Sequence, residues 1–169
     1  MNLKQSIIVA AAALAVGACA ESRHNLQPSS AEKVALTLHA AGVQVYQCRQ
    51  TRDNPVQHEW GFVGPEANLY DGAGQRAGRH YGGPTWEAAD GSKVMATVVG
   101  KVPAKSEDSI PWLLLAARPV SMQGTFGHVT SIQRLGTVGG AVPTQSCSAQ
   151  NAGETVRVPY AAQYVFFTR

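Results

Sequence analysis

The sequence is short of charge. Charged residues make up 15% of its 169 residues, and the net charge is only +3. The basic residues are scattered, with no run of four or more. Such a chain has no concentrated grip for a phosphate backbone, so nucleic acid is not an expected partner. Long apolar runs are missing too. No stretch reaches the roughly 20 residues that a membrane-spanning helix needs, because Lys, Arg, Asp, Gly or Pro interrupts each one.

Catalytic signatures are equally scarce. There is no Gly-x-Ser-x-Gly, no His-x-x-x-His, no His-x-His and no cysteine pair at metal-ligand spacing. This leaves no nucleophile elbow and no standard zinc motif. Gly72-Ala73-Gly74 with Gly78 lacks the strand-then-helix setting of a dinucleotide loop. No cofactor is called for. Helical periodicity is also weak. Ser29-Ser30-Ala31-Glu32 could cap one brief helix, but Leu36-Thr37-Leu38 equally reads as the start of a strand.

What is present begins with an export signal. Lys4 precedes an apolar run from Ile7 to Val16, and Gly17, Ala18, Cys19 and Ala20 follow. This is the charged, apolar and small-residue order of a secretory signal, so residues 1–20 read as the signal segment, of which the first 18 to 20 are expected to be removed. Val16-Gly17-Ala18-Cys19 resembles a bacterial lipobox, with Cys19 as the lipidated first residue of the mature chain. The alternative is ordinary cleavage after Ala20, which fits the small-x-small rule. Residues 21–33 read as a polar tether, and 34–169 as one β-rich domain. The expected location is extracytoplasmic: a bacterial envelope, as a periplasmic or outer-membrane lipoprotein, or alternatively secreted. The membrane is then reached through the lipid on Cys19.

Three cysteines are an odd count for an exported protein. Lipidation or removal of Cys19 leaves Cys48 and Cys147 as one pair in an oxidising compartment. A Cys48–Cys147 disulfide is therefore expected, with two buried free thiols as the alternative.

Between these landmarks the patterns are those of strands. Val43 to Cys48, Ala67 to Tyr70, Ser92 to Val99, Val129 to Leu135 and Tyr160 to Phe167 alternate or nearly alternate. Ile110-Pro111-Trp112-Leu113-Leu114-Leu115-Ala116-Ala117 is the most apolar run of the mature chain, and its length favours a buried strand. Asp53-Asn54-Pro55, Asp71-Gly72 and Asp90-Gly91 are turns. Gly64-Pro65 reads as a strand end and the Gly-dense segment 72–83 as loop. Roughly six to nine short strands result, which predicts a β-sandwich or a partly closed β-barrel with short helical turns. The strands are too short and irregular for an outer-membrane barrel.

The best candidate site is the segment from His80 to Ser92. Trp86 could stack on a sugar ring or other flat ligand, with Glu87 and Asp90 accepting hydroxyl hydrogen bonds. The competing reading makes Gly82-Gly83-Pro84 a structural corner and Trp86 a core plug. A weaker metal alternative uses His80, Glu87 and His128. Arg134, in mid-strand, is either a partly buried ion-pair residue or a solvent-face charge. These features favour a binding or interaction module for a small molecule or glycan. The alternatives are a metal-dependent or carboxylate-based enzyme using the His80–Asp90 segment, and a purely structural envelope protein.

An ordered set of motifs carries a resemblance. Gly42-Val43-Gln44-Val45-Tyr46-Gln47-Cys48 is followed by Trp60 and Gly64-Pro65-Glu66-Ala67. His80-Tyr81-Gly82-Gly83-Pro84-Thr85-Trp86-Glu87 and Asp90-Gly91-Ser92 come next, then Ile110 to Leu115. Thr137, Gly139-Gly140 and Pro143 precede Cys147, and Pro159-Tyr160 opens the aromatic tail. The chain resembles the family of exported bacterial and fungal proteins known as domain of unknown function 3455. The resemblance implies a single domain from about Leu36 to Phe167 and supports the pairing of Cys48 with Cys147. It implies no activity.

Overall fold

The computed structural model describes residues 26–169. The export signal, Cys19 and the first part of the tether lie outside the described residues. Eight antiparallel strands run in chain order around a closed barrel. They are β1 (Lys33–Gln50), β2 (His58–Tyr70), β3 (Arg76–Tyr81), β4 (Thr85–Ala88), β5 (Lys93–Val102), β6 (Trp112–Pro119), β7 (Val129–Gly139) and β8 (Thr155–Thr168). Closure comes from β1, which pairs with β2 on one side and β8 on the other. Among the described residues no edge strand is left to template aggregation. Of the two expected architectures the barrel is the one formed, and it is fully closed. The only helical piece among the described residues is a short 3-10 turn, Ala149–Asn151.

Some local expectations are corrected. Residues 29–32 form a turn, in which the Ser29 amide donates to Glu32 Oε2 at 2.9 Å, and the chain enters β1 directly. Gly64-Pro65 does not end a strand. β2 runs through it, with Val63 as the extra residue of a bulge opposite Val45 and Tyr46. A bulge admits the missing Pro amide and bends the strand. The Gly-dense segment is not all loop, because Arg76–Tyr81 is bonded on both sides, to β2 and β4.

Alternation puts apolar side chains inside. Leu38, Leu69, Trp86, Val94, Ile132 and Phe166 are each no more than 1% exposed. Closing so small a barrel demands sharp coiling where strands approach. Gly42 allows this, since a Cβ there would meet the Glu66 carbonyl at 2.1 Å.

Successive connections of such a barrel alternate between its ends. The β2–β3, β4–β5 and β6–β7 connections close one end together with the two termini of the domain. Phe126 from the β6–β7 connection is fully buried there and stacks on Phe166 at 4.8 Å. Asp90 holds this plug in place. Its Oδ2 accepts from the Thr125 amide at 2.7 Å and the Thr125 hydroxyl at 2.8 Å. Its Oδ1 accepts from the Ser92 amide and hydroxyl, and Ser92 Oγ in turn accepts from the Phe126 amide.

The opposite end gathers the β1–β2, β3–β4, β5–β6 and β7–β8 connections. Here β1, β2 and β8 rise above the short β3 and β4. The inner face of this tall wall carries a second small core of Tyr46, Cys48 and Trp60, with Val156 and Val158. The β7–β8 connection covers it and is stapled down by the Cys48–Cys147 disulfide.

Candidate functional site: the open mouth of the barrel

The mouth keeps a cavity of about 280 Å³. In an eight-stranded barrel side chains nearly fill the interior, leaving room for at most one small ligand. The floor is made by Trp86, His80, Tyr164 and Gln44, from four different strands. Phe62 and Val98 stand half-exposed on the rim, at 50% and 53%. Arg134 and Lys101 also line the space.

His80 and Trp86 face each other across the β3–β4 ladder. Their rings stack at 4.1 Å, and Tyr164 meets both edge-on at 5.2 and 5.4 Å. The tight β3–β4 turn makes this pairing possible. Gly83 takes φ 92° there, a conformation that side chains with a Cβ rarely adopt. His80 Nδ1 lies 2.9 Å from the Thr85 carbonyl oxygen. A carbonyl can only accept, so Nδ1 carries the proton and Nε2 keeps its lone pair. Burial, reinforced by the nearby Arg134 guanidinium, pushes the His80 pKa down to about 3. The imidazole is neutral at any ordinary pH.

Arg134 is fixed in mid-β7, opposite Tyr164 on β8 and Leu113 on β6. Its Nε and Nη2 donate to the Pro111 carbonyl at 3.0 and 2.9 Å. The partly buried reading holds, but without its ion pair. It is half-buried rather than on a solvent face, and among the described residues no carboxylate pairs with it. Its charge is felt by Tyr46, Tyr160, Tyr164 and His80. Burial raises the pKa of the Tyr160 and Tyr164 phenols, which therefore stay protonated.

Several of these groups lack a partner. Gln44 Nε2, Trp86 Nε1 and the hydroxyls of Tyr160 and Tyr164 are buried without a hydrogen bond of normal geometry. The Tyr164 oxygen nonetheless lies within hydrogen-bonding influence of the Tyr160 hydroxyl and the Arg134 guanidinium, which raises the Tyr160 pKa and offsets part of the rise at Tyr164. Buried polar groups are nearly always satisfied in native proteins, so a cluster of unsatisfied ones needs a reason.

The sequence-predicted residues divide. His80, Trp86 and Arg134 converge at the mouth. Glu87 does not join them, because it lies between two inward residues on β4 and points outward. There it accepts from Arg79 at 2.9 Å and Tyr81 at 2.8 Å, with Lys93 at 3.5 Å. The hydrogen bonds from Tyr81 and Arg79 hold its carboxyl below the usual range. Asp90 sits at the plugged end, where the Ser92 hydroxyl, the Ser92 and Thr125 amides and the Thr125 hydroxyl depress its pKa. His128 is exposed at that same end. The metal alternative therefore spreads its three residues over inside, outside and far end. No group of three or more His, Cys, Asp or Glu among the described residues could hold a metal.

Gln44 and Tyr164 were missed as site residues. Gln44 left a signal: it is the polar member of an inward series with Leu38, Ala40 and Tyr46. A larger groove of about 490 Å³ runs along the outer wall, past Glu66, Arg76, Arg79 and Arg157. It is open to solvent, and its Arg157 is already paired with Glu66. Exposed pairs of this kind contribute little.

The fold and mouth define a small up-and-down β-barrel with a cavity at its open end. The family model described as protein of unknown function (DUF3455) matches residues 28–168, and the chain belongs to that family. No curated protein matches it.

Proposed function

We propose that this is an exported, lipid-anchored binding protein of the bacterial envelope that holds a small molecule in the mouth of its barrel. One observation carries the reading. An apolar cavity is lined by buried polar atoms that have no hydrogen-bond partner of normal geometry among the described residues. Pockets that bind small molecules combine largely apolar walls with a few converging polar groups. The disulfide, which suits an oxidising compartment, and the signal-like residues 1–20 support export.

The test uses protein exported to a bacterial envelope and purified in detergent. Its intact mass is expected to show a diacyl or triacyl group on a chain starting at Cys19. A lipid-free chain starting at Glu21 would remove the anchor from the proposal. Isothermal titration with benzoate, cinnamate, 2-naphthoate, indole-3-acetate and their primary amides is expected to give one-to-one, mutually competitive binding. Val98→Trp adds bulk at the half-exposed rim and is expected to weaken all of it by about tenfold or more, as steric exclusion from a small pocket does. A panel that does not bind, or binding untouched by Val98→Trp, would place any ligand elsewhere.

A further inference from the structure

The unpaired groups at the mouth have a common sign. The free atoms of Gln44 and Trp86 are N–H donors, and an indole N–H can do nothing but donate. The Tyr164 hydroxyl, held protonated, offers a third donor. Arg134 has five N–H groups and spends two on Pro111. No Asp or Glu lines the cavity, while two cations do. The side-chain acceptors there are His80 Nε2, whose lone pair is left because Nδ1 is bound to Thr85, and the Gln44 side-chain oxygen.

A space so rich in donors is complementary to a ligand rich in acceptors. The walls limit the rest of the ligand. Trp86 offers a flat ring, Phe62 and Val98 an apolar rim, and Leu113 and Leu115 an aliphatic side. The volume leaves room for about one bicyclic ring system with a short substituent. Charge limits it further. Of the two cations, Lys101 already has an interaction of its own, so the fixed Arg134 guanidinium matches one negative charge, and burying a second uncompensated charge would be costly.

We infer that the mouth selects small organic monoanions: a carboxylate on a flat, largely apolar body, with the carboxylate at Arg134 and the Tyr164 and Gln44 donors. This rests on the mouth being the binding site and adds the class of its ligand. Arg134 is the specificity-determining residue. Its bonds to the Pro111 carbonyl orient the guanidinium without neutralising it, so the charge stays available.

The carboxylate–amide pairs above separate the two claims. In the wild-type protein, 2-naphthoate is expected to bind about 10- to 100-fold more tightly than 2-naphthamide, the range for a hydrogen bond to a charged group. Arg134→Gln is expected to erase that preference while leaving the affinity for 2-naphthamide nearly unchanged. Arg134→Lys should retain part of it, since a point charge remains without the planar fork. Equal binding of acid and amide by the wild type would overturn the inference and leave the site standing. So would an Arg134→Gln protein that still prefers the acid. If no member of the panel binds, site and ligand class fall together. Should Arg134→Gln fold poorly, the wild-type ratio of acid to amide decides the matter alone.

Discussion

Removing the Cys48–Cys147 disulfide is expected to lower stability by about 4–5 kcal/mol, the chain-entropy value for a loop of this size. The bridge joins residues 99 positions apart. It ties the C-terminal end of β1 to the connection that crosses the tall wall. Cys48 is completely buried beside Trp60, and its backbone bonds to Glu154 and Gly153. The Trp60 indole donates to the Gln145 carbonyl at 2.9 Å, and the Tyr46 hydroxyl to the Gly140 carbonyl at 2.7 Å. These contacts hold the cover locally, but they do not restrict the unfolded chain. Loss of the bridge should therefore appear as a drop in Tm of about 10–20 °C. Thermal unfolding of the Cys48→Ala/Cys147→Ala protein, alongside wild type with and without reductant, measures it. A drop of only about 2 °C would show that the remaining contacts dominate.

Acid is expected to destabilise the barrel from an unusually high pH, through His80. An unfolded histidine gains its proton near pH 6.5. The folded one waits until about pH 3. Between those values the unfolded state binds the extra proton, so stability falls as pH falls, by up to about 1.4 kcal/mol per pH unit. Across the whole window this approaches about 5 kcal/mol, and it levels off below pH 3. The groups facing the imidazole explain why it resists protonation. Trp86 covers its face, Tyr164 closes an edge, and Arg134 adds like charge. Carboxylates add their own acid sensitivity only lower down. Asp90, Glu32, Glu87 and Asp108 all have depressed pKa values, so their contributions are intact above the usual carboxylate range. The interval from pH 6.5 to 5 thus isolates His80. Urea unfolding at several pH values should show the slope in the wild type and its loss in His80→Gln, even if that variant is less stable throughout. An equal slope in both proteins would assign the effect to other groups.

Much of the barrel was legible because its strands advertise themselves. The apolar run after Ile110 and the alternation before Phe167 became β6 and β8. The odd cysteine count pointed to the one bridge that forms. Closure was not legible, because it depends on β1 meeting β8 across nearly the whole chain. β3 was hidden for a related reason. Arg76–Tyr81 includes a glycine and two arginines, and only its two neighbouring strands make it extended.

The site was half visible. His80 and Trp86 belong together because a two-strand turn folds one onto the other. Glu87, next to Trp86 in sequence, is turned outward by the alternation of β4. Asp90 is carried to the far end by the following turn, where its hydrogen bonds seat Phe126. Local clustering in sequence brought four side chains into one hypothesis, and the barrel sorted them by face and by end. Arg134 and Gln44 joined from distant strands that no local pattern could connect.

The central claim is that a small molecule occupies the mouth and touches Trp86. Proton–nitrogen NMR of the three tryptophan indoles tests it most directly, with signals assigned by Trp→Phe variants. Titration with 2-naphthoate is expected to move the unpaired Trp86 signal saturably. The Trp60 signal, tied to Gln145, should stay in place. A Trp86 signal that stays fixed up to saturating ligand, or a Trp60 signal that moves in its stead, would contradict the account.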